Sequence, residues 1–184
     1  LLMNRNVDAA VIENDSGVIL GQGLAYDRCQ VGVVTNIDDA DHLGDFDINE
    51  TERMFNVFRT QVDVVLPTGA AVLNARDPRV VEMAELCDGA VIFFGIDPAL
   101  PAIAAHLQQD GRAVFVRDGS IILAQGAREE RLADVAAIPL TYGGRVAFQV
   151  ENVLAAVGTA WALDIPVELI RAGIETFDID QADA

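Results

Sequence analysis

The stretch Val31-Gly-Val-Val-Thr-Asn-Ile-Asp-Asp-Ala-Asp-His-Leu-Gly44 decides the fold class. It opens on an apolar, largely β-branched run, the composition of a strand buried on both faces, and such strands belong to parallel sheets covered by helices. The run empties into a polar loop. Asn36 stands at the strand end, and Asp38, Asp39, Asp41, Asp45 and Asp47 surround His42. Open α/β sheets hold ligands beside the carboxyl ends of their strands, so this loop is a candidate site. Five carboxylates around one imidazole are unfavourable unless water or a cation neutralises them. A solvated acidic loop without a ligand is the alternative.

Working outward, residues 7–12 read as a short strand followed by a polar break at 13–17. Residues 18–25 are ambiguous between helix and loop, because two internal glycines weaken a helix. Asn49 or Thr51 is a suitable cap for a helix running to about Val62, with Glu50 and Glu52 at its positive end. Residues 64–66 form a short apolar run, Pro67-Thr-Gly69 reads as a turn, and 71–73 as a strand. Pro78 suits the first turn of a helix to Leu86. Residues 90–94 read as a buried strand and 98–109 as a helix. Residues 113–116 and 121–124 flank Asp118-Gly119, a strong hairpin signal. Residues 128–135 read as a short helical or irregular link. The stripe Val150, Val153, Leu154, Val157 and Trp161 predicts a helix over 148–162, and Pro166 introduces another over 167–176. Strands alternating with helices predict an α/β fold of three layers: a mainly parallel sheet flanked by helices, with one antiparallel hairpin.

The chain has 184 residues, enough for one domain with a sizeable core. Its formal net charge of −17 argues against nucleic acid and anionic membrane surfaces as partners. No apolar run approaches membrane-spanning length, and the first residues lack the blocks of a secretion signal. Cys29 and Cys87 make neither a disulfide framework nor a CxxC metal motif, which fits a reducing cytoplasm. All twelve basic residues are arginine. Without lysine, a GxxxxGK[ST] phosphate loop and Schiff-base chemistry are both impossible within these residues. A chain that starts on Leu1 and ends on Gln-Ala-Asp-Ala184 is expected to be a piece of a larger protein.

Glu13 lies just past the expected 7–12 strand, and His42 a few residues past the next. If those strands are neighbours, both side chains reach one edge of the sheet. A carboxylate and an imidazole in oxygen-rich surroundings suit magnesium or manganese better than zinc. Taken alone, Glu13 also reads as an ordinary surface carboxylate. A competing reading places Asp39, Asp41, Gly44, Asp47 and Glu50 at EF-hand positions for calcium, although Leu43 lacks the side-chain oxygen its position needs and a strand precedes the loop. Nucleophilic catalysis is poorly supported, since Ser16 and Ser120 lie outside GxSxG and buried thiols are commonly inert. His106, inside an apolar helix, reads as structural. Asn152, placed in the first turn of the 148–162 helix, is the other polar candidate, because helix starts offer N–H donors to anions and an amide can read a nucleobase edge.

Four segments, in order, resemble the ATP-dependent Mur ligase family, and within it the cyanophycin synthetase branch. Val11-Ile-Glu-Asn-Asp-Ser-Gly17 with Gly23-Leu-Ala-Tyr-Asp-Arg-Cys29 is similar to that branch's Glu-Thr-Ala-Arg-Gly-Gly…Gly-Leu segment. Val33-Val-Thr-Asn-Ile37 with Asp41-His-Leu-Gly44 resembles Thr-Asn-Ile…Asp-His-Leu. Val72-Leu-Asn-Ala-Arg-Asp-Pro78 resembles Val-Leu-Asn-Ala-Asp-Asp-Pro, and Phe148-Gln-Val-Glu-Asn-Val-Leu-Ala-Ala156 resembles the Asn-Ala-Leu-Ala-Ala helix.

The resemblance implies Glu13 and His42 as magnesium ligands and catalytic residues, Asn152 as a nucleotide contact, and Asn36 near the phosphate and substrate side. It implies ATP and Mg2+ as cofactors. The parent enzyme would activate a carboxylate as an acyl phosphate that an amine attacks, adding arginine to a poly-aspartate chain. Its expected partners are ATP, arginine, aspartate and a cyanophycin-like polymer, and the full-length protein is expected to be a homo-oligomer. Residues 1–176 would be the central ATP-binding domain, its GTxGK[ST] loop expected just before Leu1, and 177–184 the start of a linker to a third domain. The piece alone is expected to be inactive. Three departures stand out: one extra residue between Asn36 and His42, Gly21 where many relatives carry arginine, and Phe58 or Arg59 near a lysine that some relatives modify. A non-catalytic binding module on the same scaffold is the alternative.

Overall fold

A computed structural model describes residues 6–37, 46 and 51–177. The elements run α1 (Ser16–Gln22), β1 (Cys29–Val34), α2 (Thr51–Phe58), α3 (Thr60–Asp63), β2 (Val65–Asn74), α4 (Pro78–Glu82), β3 (Ala90–Gly95), α5 (Pro101–Gln108), β4 (Arg112–Arg117), β5 (Ser120–Gln125), β6 (Arg128–Asp134), α6 (Ala147–Ala162) and α7 (Val167–Thr176). The six strands form one sheet in the order β1-β2-β3-β4-β5-β6. Pairings from β1 to β4 are parallel, and those of β5 with β4 and β6 are antiparallel.

Two separate cores explain the three layers. Along a strand, successive side chains leave opposite faces. Leu73, Phe93, Phe115 and Ile122 therefore enter one core with Met54, Val57, Val80 and Ile103 from the helices on that side. Val72, Phe94, Val114 and Leu123 enter the other, beneath Val150, Val153, Leu154, Val157 of α6 and Ile170 of α7. The apolar stripe predicted for α6 is the stripe it buries. The expected three-layer α/β architecture is the one observed.

Several local expectations are corrected. Residues 7–12 join no strand ladder. An apolar alternation makes a strand only where a neighbour takes its N–H and C=O groups, and among the described residues β1 pairs with β2 alone. Val11 is 96% exposed. Pro67-Thr-Gly69 lies inside β2 as an irregularity, since Cys29 pairs with Val65 but Val31 with Ala70. The 98–109 helix starts at Pro101, because a residue before proline is driven out of the α region and Leu100 adopts φ −53°, ψ 129°. Of the residues 128–135 expected as a link, Arg128–Asp134 form the strand β6, so the expected single hairpin grows into a three-strand meander. Its charged face suits an edge strand, where Arg and Glu discourage further pairing. The predicted hairpin itself is present, with Asp118 and Gly119 at φ 49° and 74°, the left-handed pair of a tight two-residue turn.

The α1 helix resolves the ambiguity over 18–25. Asp15 caps it by accepting the Val18 N–H at 2.8 Å. Gly32 lets α3 lie against β1, for a Cβ there would sit 2.4 Å from the Gln61 carbonyl oxygen. Gly32→Ala should therefore cost about 1–3 kcal/mol by forcing α3 outward. A urea midpoint equal to that of the parent chain would contradict this.

Candidate functional site

The carboxyl ends of β1 and β2 form the edge where the sequence places its site. β1 ends at Val34, and the chain continues through exposed Thr35 and Asn36 to Ile37, which is 3% exposed and packed into the core. β2 ends at Asn74, a buried residue whose Oδ1 accepts the Arg76 N–H at 2.9 Å and turns the chain. Asp77 then caps α4 by accepting the Arg79 N–H at 3.0 Å, with Pro78 as the first helical residue.

Asp77 also reaches back across the edge. Its Oδ2 accepts the Ile37 N–H at 3.2 Å, and Arg79 Nη2 donates to the Ile37 carbonyl at 2.6 Å. The Arg79 guanidinium bonds the Asp77 carboxylate through Nε and Nη2, both at 3.2 Å. Burial alone would raise the Asp77 pKa. The Arg79 side chain, the Ile37 and Arg79 N–H groups and the Arg79 charge together bring it below the usual carboxylate range.

The start of α6 stands at the same edge. Arg76 Nη1 meets Glu151 Oε1 at 3.3 Å, tying the β2 exit to the residue before Asn152. At its other end α6 sets Trp161 beneath the Arg112 guanidinium, which lies 5.2 Å from the ring centroid where β4 begins. The helix thus runs from the carboxyl edge of the parallel strands toward their amino edge. Asn152 is exposed and donates through Nδ2 to Gln149 Oε1 at 3.1 Å. It is the sixth residue of α6, which corrects the first-turn placement. Free N–H donors belong to the first turn, so Asn152 offers its side-chain amide and not a helix terminus.

Glu13 is exposed on an extended segment rather than at a strand end, so the edge argument built on a 7–12 strand does not apply to it. The next residue, Asn14, donates to the Tyr26 hydroxyl at 2.8 Å and to Gln61 Oε1 at 3.4 Å, on segments that precede β1 and β2. His42 and the five aspartates lie outside the described residues, as do the EF-hand positions 39–44, 47 and 50. Among the described residues no group of three His, Cys, Asp or Glu side chains is placed to hold a metal. The element before that loop is the strand β1, whereas an EF-hand needs a helix there.

The residues set aside by sequence are structural. Ser120 is buried, donates to Asp134 at 2.9 Å and accepts from Arg131 Nε at 3.0 Å. His106 packs edge-on against Phe93 with its Nε2 3.0 Å from the Val91 carbonyl oxygen, which holds the ring as an N–H donor. Asn74, Asp77 and Arg79 were not anticipated as parts of this edge. The available signal was Asp77-Pro78, an N-cap followed by proline at the first helical position. Nothing local announced that the cap would span to Ile37.

The model of the Mur ligase middle domain matches residues 1–160. The chain belongs to the Mur ligase family. Over 177 residues it is 40% identical to a cyanophycin synthetase of Synechocystis sp., covering 96% of this chain and 20% of that protein. It is 32% identical over 147 residues to a UDP-N-acetylmuramate–L-alanine ligase of Xylella fastidiosa, covering 80% of this chain and 28% of that one. The chain thus spans about one fifth of the length of the cyanophycin synthetases it matches. The crystal structure of MurF from Acinetobacter baumannii shares the fold, with a TM-score of 0.54 at 23% identity over 81% of this chain and 29% of MurF. No helix among the described residues is long and apolar enough to cross a membrane.

Proposed function

We propose that the chain is the nucleotide-binding and magnesium-binding middle domain of an ATP-dependent carboxylate–amine ligase of the cyanophycin synthetase type, working in the cytoplasm. In that reaction a carboxylate oxygen attacks the γ-phosphorus and ADP leaves. The amine then attacks the acyl carbon and phosphate departs, leaving an amide. For a cyanophycin synthetase the amine donor would be arginine and the acceptor the side-chain carboxylate of a poly-aspartate backbone. The observation that carries the reading is the shared edge. Asn36, Asn74 and Asn152 come from three different family motifs; the reading is supported by Asn36 following β1, Asn74 ending β2, and Glu151, the neighbour of Asn152 on α6, pairing with Arg76 just past β2.

In this reading Glu13 and His42 hold magnesium, Asn152 contacts the nucleotide, and Asn36 faces its phosphates. Magnesium commonly keeps several waters and takes one or two protein ligands plus phosphate oxygens, so a sparse protein donor set fits it. Bound there, it would neutralise phosphate charge during transfer. No lysine is present, so the phosphate-loop lysine of a ligase containing this domain must lie outside these 184 residues.

Two measurements test the proposal. Calorimetric titration of this chain with Mg-ATP should give weak binding at most, and no ATP hydrolysis; robust turnover by the chain alone would refute the assignment. In the full-length ligase, His42→Ala and Glu13→Gln should each lower arginine-dependent ADP release by at least about 100-fold. Near-parent rates in both variants would remove them from the metal site.

A further inference from the structure

Past Val34 and Asn74 the ladder between β1 and β2 ends, yet the peptide groups flanking Ile37 lie beside a buried residue and need partners. Two side chains supply them. The Ile37 N–H is taken by Asp77 and its carbonyl by Arg79, while Asp77 and Arg79 bond each other. The closed ring serves as a one-residue strand partner made from side chains. Both partners are ionised, so its bonds are stronger and more directional than those of a neutral pair. They also bridge 40 and 42 residues of sequence. Asn36 lies immediately before the clamped peptide and is exposed at the ligand edge.

We infer that Asp77 and Arg79 are positioning residues for nucleotide binding, fixing the peptide after Asn36 so that its side chain is presented to the phosphates. The inference rests on the ligase reading given above. A cap for α4 needs only Asp77 and the Arg79 backbone N–H. The Arg79 guanidinium also holds the capping carboxylate, but its bond to the Ile37 carbonyl is no part of a helix cap and acts at the β1 exit.

Steady-state kinetics of the full-length ligase test this, with amine-dependent ADP release as the readout. Arg79→Met keeps the aliphatic stem and removes the fork. It should raise KM for Mg-ATP by about 10-fold, the scale on which partners behind a binding group act, with kcat changing less. Asn36→Ala should raise the same KM, and the double variant should fall short of the product of the two effects, because both act on one contact. An unchanged KM in Arg79→Met, or fully multiplicative effects, would show the clamp to be structural only. Should Arg79→Met fail to fold, Asp77→Asn takes its place under the same outcomes. A parent enzyme without any Mg-ATP-dependent ADP release is a different failure: it removes the ligase reading, and this inference with it.

Discussion

Phe94→Ala should lower the unfolding free energy by about 3–5 kcal/mol. Phe94 is fully buried as the penultimate residue of β3, in register with Asn74 of β2 and Val114 of β4. Its ring lies in the core beneath α6, in a layer with Val72, Ile92 and Leu154. Truncation loses the transfer energy of the ring and leaves a cavity that the strands on both sides cannot collapse into. At about 2–4 °C per kcal/mol for a chain of this size, the thermal midpoint should fall by about 6–20 °C. Phe94→Leu, which keeps most of the volume, should cost under about 1.5 kcal/mol. Equal midpoints for the two variants would mean that the ring is not a packed core element.

Asp77→Ala should cost about 2–4 kcal/mol at neutral pH. Loss of the α4 cap accounts for about 1 kcal/mol, and leaving the buried Ile37 N–H without an acceptor adds about 1–3 kcal/mol. Arg79 contributes little to the loss, since its side chain is one-third exposed and water can replace its partner. The pH dependence follows from the lowered folded pKa of Asp77. A carboxylate more acidic when folded adds stability above its unfolded value, near 3.9, and that stability disappears as pH falls through the folded value. The gap between parent and variant should thus be flat from neutral pH down to about 4 and narrow below it. Urea unfolding at a series of pH values measures it; a gap that widens on acidification would reverse the assigned sign.

The layers of the fold were legible because they depend on short-range patterns. The run 31–34, the apolar strands at 71–73 and 90–94, the Asp118-Gly119 turn and the α6 stripe each carry their own periodicity. Errors fell where pairing partners decide. Residues 7–12 have a strand's composition and no strand beside them, while 128–134 have a linker's charge and become a strand because β5 offers an edge. The candidate site was half legible. Asn36 follows the end of β1, as the strand pattern predicts, whereas Asn152 lies past the first turn expected for it and the Asp77–Arg79 clamp depends on contacts 40 residues apart.

The sequence by itself determined an acidic α/β domain of Mur ligase type, without lysine and therefore without a phosphate loop of its own. Composition, periodicity and motif order are properties of the chain that folding does not alter. Tertiary structure alone decided that the exits of β1 and β2 and the first turns of α6 meet at one edge, and that a carboxylate and a guanidinium lock the peptide beside Asn36. Those are distances between remote segments, and they exist only once two hydrophobic cores have closed on opposite faces of one sheet.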